Sequence, residues 1–254
     1  MMLFRQIGIW GYGTLQSIGK FIPYIYAYLR FKTDMRTKKD ERFSVSLRGL
    51  YPCLKDNTKN TGFDAHYIYH PAWAARIVST TKPVEHVDVS SSLSFVTLVS
   101  AFLNVRFYDY RPAQITLPNL ACGSADICAL PFESGSVSSL SCMHVVEHIG
   151  LGRYGDPIDS QGDIKAINEL KRVMVCGGDL LFVVPIGGTA MIVYNAHRIY
   201  AYDLVLNLFS GFNLENFSLV TDSGNFVSPA TKEMADGCSY GCGCFWFKKI
   251  HGSK

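Results

Sequence analysis

The sequence predicts an α/β fold built around a doubly wound, mainly parallel sheet of seven strands, with an N-terminal extension. Three observations predict it. Short apolar runs of strand length recur between residues 84 and 184, segments with apolar residues at helical spacing separate them, and two further strand-like runs follow near the C-terminus. Parallel strands need such crossover segments, usually helices. We expect residues 1–61 to form the extension and residues 62–254 to form the domain.

The composition favours a globular protein of the cytoplasm without a nucleic-acid partner. The chain has 254 residues, of which 48% are hydrophobic, enough to bury a sizeable core. Its net charge is only +3, and its basic residues are scattered apart from a cluster between Arg30 and Arg48, so no nucleic-acid face is indicated. Eight cysteines in a chain of this length, several within apolar runs, favour reduced thiols.

The first thirty residues leave three interpretations open. A bilayer span needs about 20 apolar residues. The uncharged segment before Lys20 is too short by itself. It reaches that length only when it is joined through Lys20 to the uncharged segment from Phe21 to Leu29, in which Pro23 would interrupt a helix. Basic residues beyond Leu29 suit a membrane surface equally well. Packing on the domain is favoured over peripheral membrane contact through residues 1–40 and over a span. No cleavage site of small residues follows, so a removed signal peptide is not expected.

The first elements of the domain form a half-Rossmann unit, with strands, helices and an acid in the expected order. Asp109 ends the second strand roughly 20 residues after Asp88, near the spacing at which an acid meets a ribose diol in dinucleotide-type folds. The predicted strands are 84–89, 105–108, 120–122, 137–142, 180–184, 212–220 and 244–250. The predicted helices are 71–79, with Pro71 near its start, and 93–102, 163–174 and 202–209, with a turn at Gly177 and Gly178. The last two strands are expected to form an antiparallel hairpin at one edge of the sheet.

Polar residues follow four of the predicted parallel strands. In an open parallel sheet, ligands bind beyond the carboxyl ends of the strands, where the strand order reverses. Asp88 with Ser90, Asp109, Asp126, and the segment from Cys142 to His144 all fall at such ends. We therefore expect a ligand site at this edge.

The stretch from His86 to Ile186 resembles the class I S-adenosylmethionine (SAM) dependent methyltransferases. It contains Leu-Pro-Phe at 130–132, Glu-His at 147–148, and a helix followed by Gly-Gly and a buried strand. A closer resemblance, over about 63–249, is to the uncharacterised family catalogued as domain of unknown function 268. The runs that carry it are YIYHPAWAAR from Tyr67, VDVSSS from Val87, FYDYRP from Phe107, SCMHVVEHIGLGRYGD from Ser141 and NAHRIY from Asn195. It implies a methyltransferase-like fold and brings no established substrate.

The resemblance to methyltransferases implies SAM as the cofactor. Asp109 would accept hydrogen bonds from both ribose hydroxyls, a role that suits a carboxylate because it only accepts. Asp126 would accept from the adenine amino group, with Ile127 beside the ring. The methionine part would lie near Asp88, Ser90 and Met143.

The same resemblance indicates which residues would face the methyl acceptor. His144, Glu147 and His148 are the acid-base candidates, with His144 nearest the acceptor. Arg153, His197 and Arg198 are the substrate candidates, because arginines can hold an anionic group. A structural role of the Glu-His pair and ordinary solvated arginines are the alternatives.

The first loop departs from the methyltransferase pattern, because Asp-Val-Ser-Ser-Ser at 88–92 replaces the usual Gly-rich turn. Glycine lets the backbone bend and lets a cofactor approach closely. Serines still offer N–H groups to a methionine carboxylate. We expect a SAM-dependent methyltransferase for a small-molecule or glycan-type acceptor, with a non-catalytic scaffold or binding module as the alternative and an NAD-dependent enzyme third. A cavity open from Ser90 to His144 would favour the enzyme. The oligomeric state stays open.

No metal site is expected from two clusters of possible ligands. Asp156, Asp159 and Asp163 do not match a calcium loop. The cysteines at 238, 242 and 244 lack the paired spacing and the clear fourth ligand of common zinc sites, and buried thiols are the favoured interpretation.

Overall fold

The computed structural model describes residues 3–250, with side chains from residue 19 onward. The chain divides after Gly62 into two compact units. The first contains helix α1 (Leu3–Thr37) and a short 3-10 turn at Leu47–Gly49. Within the described residues, no helix combines the length and the apolar character that a bilayer crossing requires. The side chains of 3–18 lie outside the described part, so the predictions for that segment, like the domain boundary, stay predictions.

The second unit begins with helix α2 and then contains the strands and helices of the sheet domain. Helix α2 (Ala65–Thr81) precedes β1 (Glu85–Val89), and α3 (Leu93–Val99) leads to β2 (Asn104–Asp109). The elements that follow are β3 (Leu120–Ser124), β4 (Val137–Met143), α4 (Gly162–Val173), β5 (Met174–Ile186), β6 (Met191–Val193), β7 (His197–Ile199), α5 (Tyr202–Leu208), β8 (Phe212–Val220), β9 (Phe226–Val227), α6 (Lys232–Asp236) and β10 (Gly241–Lys249).

The central sheet has the strand order β3-β2-β1-β4-β5-β10-β8-β9 among the described residues. Strands β3, β2, β1, β4 and β5 are parallel, and β10 runs antiparallel between β5 and β8. The predicted doubly wound α/β fold is confirmed. The sheet has eight strands rather than seven because the two-residue β9 pairs with the end of β8.

Helices cover both faces of the sheet, and each face has its own core. One core joins α4 and α5 to the sheet and contains Ile167, Leu170 and Val205. The other joins α2 and α3 to the opposite face and contains Trp73 and Phe95. This arrangement explains why the parallel strands are apolar on both sides.

Three local predictions were wrong. Helix α2 begins at Ala65 and contains Pro71 in its interior, because Asp64 caps it by accepting from the N–H of Tyr67 (3.3 Å). The Gly177-Gly178 pair lies within β5 rather than before it, where a register shift between β4 and β5 forms a bulge. The hairpin β6–β7, whose first strand is exposed, was missed because its three-residue strands show no alternation of apolar and polar residues.

Strands β1 and β4 bury a continuous chain of polar side chains between them. The ring of His86 is hydrogen-bonded to Ser139 (2.7 Å) and Ser141 (2.8 Å), and Ser141 donates to the carboxyl of Asp88. Both His86 and Asp88 are fully buried. Burial lowers the pKa of His86 to about 3 and raises the pKa of Asp88 to about 7, against the opposing hydrogen bonds from Ser141 and Ser91.

Truncation of Leu180 tests the packing of the central strands. Leu180 is fully buried in β5, so Leu180→Ala should lower the free energy of unfolding by about 2–5 kcal/mol. The matched change Leu98→Ala, at a leucine that is 70% exposed, should alter it by less than about 0.5 kcal/mol. Chemical denaturation measures both, and equal effects would contradict the packing described here.

Replacement of Asp88 by Asn should change the pH dependence of stability. The folded carboxyl keeps its proton up to about pH 7, whereas the unfolded one loses it near 3.8, so the contribution of Asp88 falls as the pH rises through this window. Asp88→Asn removes that loss. Its free energy of unfolding relative to wild type should therefore rise by up to about 1.4 kcal/mol per pH unit between pH 4 and 7.

Denaturation curves of both proteins at several pH values measure this difference. The opposite trend of His86, whose lowered pKa adds stability as the pH rises from about 3 to its unfolded value, cancels in the comparison. Asp236→Asn, at an exposed carboxylate, is the control and should give a flat difference. A flat or falling difference for Asp88→Asn would show that the buried carboxyl is ionised throughout.

Candidate functional site

A cavity of about 550 Å³ lies at the carboxyl ends of β1 to β4. Its volume falls within the range of small-molecule sites, roughly 300–1,000 Å³. The loops after these four strands form part of the wall, and the segment between Gly150 and Lys165 contributes the rest. Six of the residues predicted for the site line it: Ser90, Asp109, Asp126, Ile127, His144 and His148.

The Ser-rich turn after β1 adopts the backbone conformation that glycine favours. Ser90 has a φ of +55°, and both its N–H (2.7 Å) and its hydroxyl (3.3 Å) donate to the carbonyl of Tyr108. The N–H of Ser91 donates to Asp88 (3.0 Å). Neither of these two N–H groups is therefore free for a ligand, and the expectation that the serine run holds a methionine carboxylate stays a prediction.

The two predicted cofactor acids lie on the same wall and are held in the same way. Asp109 Oδ1 accepts from the N–H of Arg111 (2.7 Å), and Asp126 Oδ1 accepts from the N–H of Cys128 (2.8 Å). Each carboxylate thus closes a turn two residues long. In the described part of the chain neither Oδ2 has a hydrogen-bond partner, so both are available to a ligand. Ile127, which follows Asp126 and is buried, adds an apolar surface.

A buried carboxylate lies between two imidazoles that line the cavity on the side of the loop after β4. Glu147 Oε1 accepts from His144 Nδ1 at 2.9 Å and lies 3.8 Å from His148 Nε2. His148 Nδ1 donates to the carbonyl of Ala196 (2.7 Å), which places the proton of the neutral ring on Nδ1 and leaves Nε2 as a base. His144 has a φ of +58°, so the chain turns sharply at the end of β4.

Two of the predicted cofactor residues lie behind the cavity wall. Asp88 is fully buried, and Met143 is 1% exposed within the core of the sheet. Asp88 holds the turn through Ser91, and the N–H of Met143 donates to the hydroxyl of Ser91 (2.9 Å). Both residues position the Ser-rich turn rather than line the cavity.

The three predicted substrate residues also lie outside the cavity wall. Arg198 is buried, donates to the carbonyl of Ile149 (2.7 Å) and lies 3.6 Å from Asp163, so it braces the loop after β4. Arg153 donates to the carbonyl of Ala196 (2.9 Å). The ring of His197 packs on Tyr240, with 4.9 Å between ring centroids. Glu147 also lies behind the cavity wall, and its carboxylate contacts the two histidines, His144 and His148, that line the cavity.

The loop from Gly150 to Gly162 supplies cavity residues that the sequence analysis did not single out. Tyr154 lines the cavity between the guanidinium groups of Arg111 and Arg153, which lie 5.0 and 5.1 Å from its ring centroid. Lys165 also lines it and pairs with Asp159 (2.6 Å). The sequence feature that could have indicated these residues is the group of glycines at 150, 152 and 155 in this loop.

The shape of this loop depends on Gly150 and on its aspartates. Gly150 has a φ of +80°, and a Cβ there would lie 2.0 Å from the carbonyl of Asp159. Asp156 accepts from the N–H groups of Gly150 (2.8 Å) and Tyr154 (3.1 Å). Asp163 accepts from the hydroxyl of Tyr200 (3.0 Å). The carboxylates weighed as calcium ligands therefore each have a structural partner.

A second cluster adjoins the cavity through His144. Its Nε2 lies 3.3 Å from the thiol of Cys242, and its ring stacks on that of His66 with 5.6 Å between centroids. Burial raises the pKa of the Cys242 thiol well above its usual value. The sequence analysis missed this cluster because His66, His144 and Cys242 come from three distant segments.

Comparisons with known structures show the fold. The [4+2]-cyclase SpnF is 14% identical, with a TM-score of 0.50 over 76% of this chain and 86% of its own. The MccD protein is 13% identical, with a TM-score of 0.52 over 72% and 96% of the two chains. The 1,6-didemethyltoxoflavin-N1-methyltransferase of Burkholderia thailandensis, solved with 1,6-didemethyltoxoflavin and S-adenosylhomocysteine, is 9% identical, with a TM-score of 0.51 over 72% and 79%. The chain therefore has a methyltransferase-like fold.

Sequence comparisons address the family. No curated protein matches the chain. Residues 134–233 match the family model described as "Caenorhabditis protein of unknown function, DUF268", a part of the stretch over which the resemblance was expected. The resemblance stated from the sequence is thus confirmed: over residues 134–233 the chain is similar to the DUF268 family of Caenorhabditis proteins, on a methyltransferase-like fold.

Proposed function

We propose that the chain is a SAM-dependent methyltransferase acting on a small-molecule or glycan-type acceptor. The observation that carries this proposal is the cavity whose wall includes both Ser90 and His144. A methyl transfer needs the sulfonium and the acceptor atom in one enclosed space, since positioning supplies most of the rate enhancement. The cavity provides that space at the sheet edge where ligands of such folds bind.

The cofactor would occupy the side of the cavity formed by the loops after β2 and β3. Asp109 Oδ2 and Asp126 Oδ2 are acceptors without partners among the described residues, and they suit the ribose hydroxyls and the adenine amino group. Ile127 provides an apolar surface for the ring between them. Ser90, in its left-handed conformation, lines the cavity without a bulky side chain.

The opposite side of the cavity offers a base for the acceptor. In the transfer, the acceptor oxygen or nitrogen forms a bond to the methyl carbon while the carbon–sulfur bond breaks and its electron pair stays on sulfur. The acceptor proton goes to a base, and His148 Nε2 is suited to take it because Nδ1 already donates to Ala196. Glu147, 3.8 Å from that nitrogen, would stabilise the imidazolium that forms.

A non-catalytic binding module is the second candidate, and one observation favours it. The N–H of Ser90 bonds to the carbonyl of Tyr108 on β2 and the N–H of Ser91 bonds to Asp88, so neither is available to the methionine carboxylate. A module of this kind would keep the fold and the loops without binding SAM. The measurement of SAM binding separates the two candidates.

Substitution of Asp109 tests the cofactor site. SAM and S-adenosylhomocysteine should each raise the thermal midpoint of the wild-type chain, by roughly 5–10 °C at about 100 times the dissociation constant. Asp109→Asn keeps an Oδ1 for the N–H of Arg111 but replaces Oδ2 by a donor. It should therefore weaken binding by about 10-fold or more, since a hydrogen bond to a charged group contributes roughly 1.5–3 kcal/mol.

The matched control is Asp236→Asn, which removes an exposed carboxylate of α6 that does not line the cavity. Isothermal titration should give the wild-type affinity for this variant. Absence of binding to the wild-type chain at millimolar SAM would contradict the proposal and favour the non-catalytic module.

Substitution of His148 tests the base. A screen of candidate acceptors, with release of S-adenosylhomocysteine as the signal, would first find a substrate. With that substrate, His148→Gln should lower kcat by about 10²–10⁴-fold. The affinity for SAM should stay within a factor of about 2 of wild type, because the proposed cofactor contacts lie on the opposite wall. An unchanged kcat would show that transfer proceeds without this base.

A further inference from the structure

The strongest unexplained feature of the molecule is the cluster of His66, His144 and Cys242. We propose that these three side chains form a binding site for a zinc-class divalent cation. The three ligand atoms all lie within 4.8 Å of one another. They come from the first turn of α2, the end of β4 and the start of β10, so the fold, rather than local sequence, brings them together.

The spacing of these atoms is close to what a tetrahedral ion requires. Bond lengths of about 2.0–2.1 Å to nitrogen and 2.3 Å to sulfur place neighbouring ligand atoms roughly 3.4–3.6 Å apart. Cys242 Sγ and His144 Nε2 are already 3.3 Å apart. A shift of about 1 Å at the half-buried His66 would complete a three-ligand set.

Glu147 orients the central ligand. Its carboxylate accepts from His144 Nδ1 at 2.9 Å, which directs Nε2 toward Cys242 and makes that nitrogen the ligand atom. Metal-bound histidines usually donate their other N–H to a carboxylate or a carbonyl in this way. The side chain of Glu147 is 1% exposed, and its Oε2 has no hydrogen-bond partner in the described part of the chain. A nearby cation would offset this buried negative charge.

The environment of the cluster contains a further unpaired group. His70 follows His66 by one helical turn, and its Nδ1 donates to the carbonyl of His66 (2.6 Å). Its Nε2 is buried and has no partner among the described residues. The His70 ring lies against His144, with 5.0 Å between centroids. His70 thus adds a buried imidazole beside the three-ligand cluster.

The ligand types select the ion. Thiolate and imidazole together favour zinc over magnesium or calcium, which take oxygen ligands. On binding, the cation would lie between Sγ and Nε2, and the thiol proton of Cys242 would pass to solvent.

Three protein ligands leave a fourth position open. Zinc sites with three protein ligands hold water or a substrate atom at the fourth. Because His144 also lines the cavity, the cation would lie beside the space proposed for the acceptor. The metal proposal does not depend on SAM binding and is tested by metal content alone.

Cobalt(II) is the probe, because a bound thiolate gives it a charge-transfer absorption band in the near ultraviolet. The parent for the titrations is the full chain carrying Cys53→Ser and Cys176→Ser, which removes the two exposed thiols. After chelator treatment, it should bind one equivalent of cobalt with this band, and zinc should displace the cobalt. His66→Gln and Cys242→Ser should each raise the dissociation constant by more than about 100-fold. Glu147→Gln should raise it by about 10–100-fold, as expected for a partner that orients a ligand.

Matched controls separate ligation from nearby structure. His197→Gln changes a half-buried histidine that packs on the same Tyr240 ring as His66, and Cys238→Ser changes a buried thiol outside the ligand group. Both should retain the band and the affinity of the parent. His66→Gln lies at the half-buried first turn of α2, so it remains informative where Cys242→Ser fails to fold, and circular dichroism of the metal-free proteins verifies folding. A parent without the band, or a band that persists in folded His66→Gln, overturns the proposal.

Discussion

Parallel pairing of β2, β1 and β4 places the polar groups of the site next to one another. In parallel strands all carboxyl ends lie at the same edge of the sheet. The register sets Val89 opposite Tyr108, and Asp109 opposite Ser124 on β3. The loops that follow are thus neighbours although they are distant in sequence. The cavity exists because four such loops leave the sheet at one edge, while the helices that follow β1 and β4 pack on its two opposite faces.

Two of these loops turn through a left-handed residue that is not glycine. Ser90 (φ +55°) and His144 (φ +58°) each carry a conformational cost of roughly 1–2 kcal/mol. Hydrogen bonds hold both in place, from the N–H of Ser90 to Tyr108 and from the N–H of His144 to Val183 (2.8 Å). Such conformations persist only where the surroundings enforce them, and they concentrate at functional sites. Their presence at two adjacent strand ends gives the cavity a rigid rim.

The sequence was sufficient for features that depend on local pattern or on a topological rule. Strand β8 has the predicted bounds, and the convergence of Ser90, Asp109 and Asp126 follows from strand order alone. The sequence was insufficient for features that depend on the direction in which a side chain points. Arg198 looks like a ligand residue in sequence, yet its guanidinium bonds backward to backbone carbonyls. The approach of His66 to Cys242 depends on how the start of α2 lies over β10, which no spacing in the sequence encodes.

The serines of the first loop change how a cofactor would have to be held. A fold shared by proteins named as a cyclase and as a methyltransferase does not fix the chemistry, so the cavity residues must decide it. With the N–H groups of Ser90 and Ser91 already bonded to Tyr108 and Asp88, recognition in the proposed function would fall mainly on the carboxylates after β2 and β3. Under the proposed function those carboxylates would recognise an adenosine, which SAM and its demethylated product share. Affinity would then depend little on the methyl group, and selectivity for the reaction would have to come from the imidazole side of the cavity, where His144 and His148 would face the acceptor.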